Sequence, residues 1–119
     1  MRGFVFPTLQ FKGEFMTNVP PELIAYHQSG KSLVCELDVS PFLCEFWPLD
    51  ELERYNQEYE VSEYAAGYFG FATNGGGEMY AISPSGTVVY LPFIGMEPEA
   101  AREIAASWHS FEGMLRNAL

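Results

Sequence analysis

The side chains most able to do chemistry in this chain are carboxylates. Asp50, Glu51 and Glu53 are followed closely by Glu58, Glu60 and Glu63. Two carboxylates on facing walls of a cleft would perform general acid–base work, as in glycoside hydrolysis. Six of them on one predicted helix and its exit loop read instead as a solvated face. No DxDxDG calcium loop is present. The two histidines, His27 and His109, stand 82 positions apart without an HExxH pattern or clustered zinc ligands. His109 adjoins Ser110 and lies near Glu112, but neighbours along a helix do not face each other, so they form no ready triad. A GxSxG elbow is also missing. Cys35 falls in an apolar, strand-like run, where burial raises a thiol pKa and blunts a nucleophile. Gly75, Gly76 and Gly77 invite a phosphate-loop reading, yet no Gly-Lys-Ser/Thr follows, and Glu78 would repel phosphate. The expectation is a chain with no catalytic residues, no cofactor and no metal: a binding protein rather than an enzyme.

Composition points the same way. The chain has 119 residues, 48% of them hydrophobic, which suits one globular domain over residues 1–119. Sixteen acids against six bases leave a net charge of −10. Such a chain repels phosphate backbones and anionic membranes, so nucleic acid and membrane are excluded as partners and a basic protein is favoured. No apolar run approaches the ~20 residues of a membrane span, and no secretory signal is visible. The expected location is the cytoplasm. There, Cys35 and Cys44 are expected as buried free thiols, although paired strands would also permit a bridge.

The elements that must position these residues follow from periodicity. Residues 4–11 alternate aromatic and β-branched types around Pro7 and read as an edge strand. Asn18-Val19-Pro20-Pro21-Glu22 opens a short helix that Ser29-Gly30 stops. Residues 32–37 and 42–47 read as a hairpin across Asp38-Val39-Ser40-Pro41. Asp50 and Glu53 have the spacing of a capping box, followed by Leu52, Tyr55 and Tyr59 on a core face and Asn56, Gln57 and Glu58 facing water. Residues 64–91 read as a three-stranded meander, with turns at 73–77 and at Ser83-Pro84-Ser85-Gly86. From Pro98 the chain is expected to be helical, with Ala100, Ala101, Ile104 and Ala105 on one face. Ser107 is a cap, and Trp108, Phe111 and Leu115 form a core stripe. The predicted class is α+β: a twisted, mainly antiparallel sheet of about five to six strands packed with helices on one face.

Charge is unevenly spread. Residues 36–63 hold nine acids and a single base, Arg54. One reading is a solvated surface with no partner. The other is an acidic docking face, which would speed association with a basic protein. Trp47, Tyr55, Tyr59 and Tyr64 run through the same stretch, where aromatic anchors amid acids would serve an interface.

Three segments together resemble a known family. Glu51-Leu52, Asn56 and Tyr59 match a helix pattern, and Gly75, Gly76, Gly77 and Glu78 match a glycine turn followed by an acid. Ala105, Ser107, Trp108 and Phe111 match a closing helix. The chain resembles the SUKH superfamily of Smi/Knr-like domains over about residues 19–118, best over 48–115. Asn74 and Trp108 stand where family members usually carry Asp and Phe, and the front is short. The resemblance implies a non-enzymatic, immunity-type protein that neutralises a toxin, often a nuclease. Asp50, Glu51, Glu53, Glu58, Glu60 and Glu63 are then the expected contacts for a basic toxin domain. Gly75, Gly76, Gly77, Glu78, Trp108 and Phe111 are structural. Two rival readings remain: a small-molecule-binding domain with an aromatic pocket, and a regulatory scaffold that self-associates through its first strand.

Overall fold

A computed structural model describes residues 18–118. The expected strand at 4–11 lies outside the described residues. Helix α1 (Pro21–Gln28) is followed by β1 (Val34–Glu36) and β2 (Leu43–Phe46). A 3₁₀ turn (Leu49–Glu51) then leads into α2 (Leu52–Glu58) and α3 (Val61–Tyr64). The meander is β3 (Phe69–Thr73), β4 (Glu78–Ile82) and β5 (Val88–Pro92). A second 3₁₀ turn (Pro98–Ala100), β6 (Arg102–Ala105), α4 (Trp108–Met114) and β7 (Arg116–Asn117) are the last elements of the described residues.

All seven strands form one antiparallel sheet in the order β6-β5-β4-β3-β2-β1-β7. The first six are a plain meander. The seventh returns to the opposite edge and pairs with β1. A flat sheet would hold β6 and β7 ~29 Å apart, six strand spacings of ~4.8 Å. The link between them is largely α4, whose seven residues span only ~10 Å. That link also sends Phe111 into the core, so it is not drawn out straight. The sheet therefore curls to bring its edges within reach.

Adjacent Phe46 and Trp47 divide the aromatics into two groups, as successive strand residues point to opposite faces. Phe46 stacks on Tyr26 of α1 at 4.5 Å, and Phe71 and Tyr80 meet Phe111 of α4 at 5.8 Å each. Trp47 instead meets Tyr55 of α2 at 5.1 Å. Helical residues thus cover both faces of the sheet, not one. Burial pushes the hydroxyl pKa of Tyr26 and of Tyr80 up. Each hydroxyl stays a donor, Tyr26 to the Ser32 carbonyl at 2.6 Å and Tyr80 to the Leu43 carbonyl at 2.7 Å. Cys35 and Cys44 stand directly opposite each other across β1 and β2, both buried and both free.

Three local expectations are corrected. Residues 102–105 are a strand, not helix. Ala101 already has ψ +137°, and the open edge of β5 offers a ladder that outweighs the alanine propensity of so short a segment. Asp50 and Glu53 form no capping box: residues 49–51 make a 3₁₀ turn after Pro48, and no side chain caps α2. Asn56 does not face water. Its amide Nδ2 donates to the carbonyls of Leu52 and Gly70 at 2.8 Å each, and its Oδ1 accepts from the Gly70 N–H at 2.7 Å. Ser107 behaves as read, its Oγ accepting the Ser110 N–H at 3.1 Å to cap α4.

Two predictions follow from this packing. Asn56→Ala strips partners from three backbone groups and should cost about 2–4 kcal/mol. A thermal melt should show a fall in Tm on the order of 10 °C. His27 touches Phe46 edge-on and its Nε2 is buried without a hydrogen-bond partner among the described residues. Burial lowers its pKa below the ordinary 6.5, so the unfolded chain takes up the proton first. Stability should therefore fall as pH drops below about 6.5, and urea titrations of His27→Phe should lack that component of the fall.

Candidate functional site

The acid-rich run is divided by the fold. Glu36 and Asp38 are held on the β1 side by Arg116 of β7, at 3.8 and 2.9 Å. Glu45 lies half-buried within β2. The other six carboxylates, Asp50, Glu51, Glu53, Glu58, Glu60 and Glu63, share the connected segment of 3₁₀ turn, α2 and α3. Asp50, Glu58, Glu60 and Glu63 are exposed, while Glu51 and Glu53 are half-buried.

Arg54, the one base of this segment, is already engaged. Its Nε donates to Glu51 Oε1 and its Nη1 to Glu58 Oε2, both at 2.6 Å. Those hydrogen bonds raise its pKa. Its guanidinium carbon also lies 4.9 Å from the centre of the Tyr55 ring. Glu60 joins the two helices in the left-handed conformation, at φ +56°. A non-glycine residue there costs roughly 1–2 kcal/mol. Its carbonyl accepts from the N–H groups of Glu63 and Tyr64 at 3.0 and 3.1 Å, which starts α3.

Beneath the acids lies the second aromatic group. Trp47 is nearly buried, with Tyr59 stacked at 5.8 Å and Phe93 at 6.5 Å, and Tyr59 reaches Phe93 at 4.5 Å. Tyr59 keeps 43% of its surface exposed, so it is a half-open lid on Trp47 and not a core residue as its spacing predicts. Tyr64 is 53% exposed. Beside Phe93, Ile94 is 93% exposed, which is rare for so large an apolar side chain. Tyr64, Phe93, Gly95, Met96 and Glu97 line a surface hollow of about 430 Å³.

Phe93, Ile94 and Glu97 escape the sequence reading because they come from the loop after β5, far along the chain from α2. The available signal is a Phe-Ile pair between Pro92 and Gly95, where turn residues leave apolar side chains little to pack against. The residues of the glycine turn and of the closing helix sit elsewhere. Gly75 adopts φ +81° in the β3–β4 turn, and Asn74 buckles that turn through its Nδ2 to Glu78 Oε1 at 2.7 Å. Trp108 and Phe111 are buried on α4. Trp108 Nε1 donates to Glu112 Oε1 at 3.1 Å, and Glu112 pairs with Lys31 at 2.6 Å. Among the described residues, no three His, Cys, Asp or Glu side chains are grouped to hold a metal ion. No described helix is long and apolar enough to cross a membrane.

A family model for the SMI1 / KNR4 family (SUKH-1) matches residues 9–116. The chain belongs to that family. No curated protein matches it. The helix, glycine-turn and closing-helix residues that carried the resemblance all lie within the matched range. In this SUKH-1 chain Leu52 is fully buried, Asn56 clasps β3, and Tyr59 covers Trp47. The acidic and aromatic surface combines the carboxylates of residues 50–63 with Tyr59, Tyr64 and Phe93. What it offers is a field of one sign around half-exposed rings, an arrangement suited to recognising a protein.

The lid role of Tyr59 can be checked by fluorescence. Tyr59→Ala should uncover Trp47 and shift its emission to longer wavelength, while Trp108 stays buried. The loss of stacking and covered area should lower stability by about 1–2 kcal/mol.

Proposed function

We propose that this SUKH-1 chain is a cytoplasmic, non-enzymatic binding protein of the immunity type. It neutralises a basic, nuclease-like toxin domain through the surface of residues 50–63. The supporting observation is the placement of Asp50, Glu51, Glu53, Glu58, Glu60 and Glu63 on one helical segment whose only base, Arg54, is spent on Glu51 and Glu58. A nuclease must hold phosphate and therefore carries a basic cleft. A protein surface of concentrated carboxylates competes for the same cleft, and its field steers the encounter.

The test uses charge reversal. Glu58→Lys, Glu60→Lys and Glu63→Lys are combined, and circular dichroism checks that the helices persist. Wild type and variant are each used to capture partners from source-cell lysate under a salt gradient. The expected result is a basic polypeptide held by wild type, released by salt and not held by the variant. With the purified pair, the association rate should fall about 10-fold or more at low salt and converge at high salt. Unchanged affinity and unchanged salt dependence would place the interface elsewhere.

A further inference from the structure

The exposed apolar surface beside the acids has features that charge alone does not explain. Ile94 is 93% exposed, Tyr64 53% and Tyr59 43%; Ile94 follows Phe93 in the chain, Tyr59 packs on the Phe93 ring, and Tyr64 lines the hollow beside it. Tyr64 and Phe93 bring aromatic residues to its lining, Met96 is a buried residue of that lining, and Glu97 adds an exposed acidic one. An apolar guest would make no use of the charge of Glu97. A lysine ammonium would pair with it and is drawn to a ring face, but as a compact, strongly hydrated charge it neither stacks flat nor forks to a carboxylate. A guanidinium does both, because it is planar, stacks on aromatic rings and pairs with carboxylates through parallel N–H donors. The same chain shows the combination on its neighbouring surface, where Arg54 lies over Tyr55 and bonds Glu51 and Glu58.

We propose that the Tyr64–Phe93–Glu97 hollow, with Ile94 and Tyr59 at its border, docks an arginine side chain presented by a basic protein partner. The proposal rests on the reading that the partner is basic. It adds where the partner is anchored and by which residue type. The carboxylates of 58–63 steer the partner in, and the hollow holds it, so the two surfaces govern different rates. Reversing the acids slows association, and spoiling the hollow speeds dissociation.

The test uses the full chain with its isoleucine methyl groups carbon-13 labelled. Ile24, Ile82 and Ile104 are partly buried away from the hollow and act as internal references. The probes are capped Gly-Arg-Gly, Gly-Lys-Gly and Gly-citrulline-Gly peptides, the last matching arginine in shape without its charge. The Ile94 methyl should shift in a saturable way with the arginine peptide, more weakly with lysine and not with citrulline. Glu97→Gln should weaken arginine binding about threefold to fivefold, the scale of an exposed ion pair, while leaving the reference methyls in place. Equal shifts with arginine and citrulline, or no Ile94 shift, would overturn the proposal. So would an Ile94 shift on dilution of the protein alone with a matching drop in sedimentation mass, which would assign the patch to a second copy of the chain. The titration needs no toxin, so its success stands even if no toxin is captured. Conversely, a captured toxin whose dissociation rate is unmoved by Ile94→Ser and Glu97→Gln would overturn the arginine site while leaving the immunity reading intact.

Discussion

The pairing of Asn56 with Gly70 is the contact on which the exposed surface depends. Gly70 sits at an irregularity in the β3–β4 ladder, where the register shifts before Ala72. A Cβ added there would come within 2.7 Å of Met79 Sδ and 3.3 Å of Trp47. The absent side chain lets Trp47 close over the strand. β2 pairs with β3 only at Ala72 and Thr73, so Gly70 has no β2 residue opposite it, and the Asn56 amide supplies it with both a donor and an acceptor. A single side chain thus satisfies groups that would otherwise cost ~1–3 kcal/mol each when buried. It also fixes α2 in rotation about its axis. With that rotation set, Leu52 points into the core, Tyr55 and Tyr59 meet Trp47, and Glu51, Arg54 and Glu58 turn outward together.

The acids are tolerable because of where this rotation leaves them. Carboxylates on a short exposed helix repel one another, but salt screens exposed charges over ~10 Å. Arg54 offsets two of them through contacts at (i, i−3) and (i, i+4), each contributing a few tenths of a kcal/mol. The aromatic group underneath carries the stability that the charges do not. Trp47, Tyr55, Tyr59 and Phe93 anchor α2 and the loop after β5 to the same face, so the surface can be both strongly charged and well ordered. A folded core supplied by the other aromatic group, around Phe71 and Phe111, makes this division of labour affordable.

Much of the architecture was readable in advance, and the reasons are specific. The hairpin of β1 and β2 and the meander of β3 to β5 follow from short apolar runs separated by turn residues whose chemistry dictates conformation, such as Gly75 and Gly86 at positive φ. The Ser107 cap and the Trp108–Phe111 stripe were equally local. Three of the misreadings share one cause: a partner distant in sequence. Residues 102–105 are strand because β5 presents an unfilled edge, which no alanine-rich window reveals. Asn56 turns inward because Gly70, fourteen residues later, lies beyond the reach of β2 and offers its N–H and carbonyl. Tyr59 stays half-open because its neighbour is Phe93 and not the core.

The candidate surface divides along the same line. Its acids are contiguous in the chain and were legible as a cluster, although the fold removes Glu36 and Asp38 to the Arg116 side. Its hollow is assembled from α3 and the loop after β5, so only topology shows it. β5 follows β4 and β3 across the sheet, and its exit therefore falls near the end of α2, which is pinned to β3 by Asn56. Any chain with this meander and this clasp must bring the residues after β5 beside the α2–α3 junction. The fold supplies the juxtaposition, and Tyr64, Phe93, Ile94 and Glu97 determine the chemistry that the juxtaposed surface can recognise.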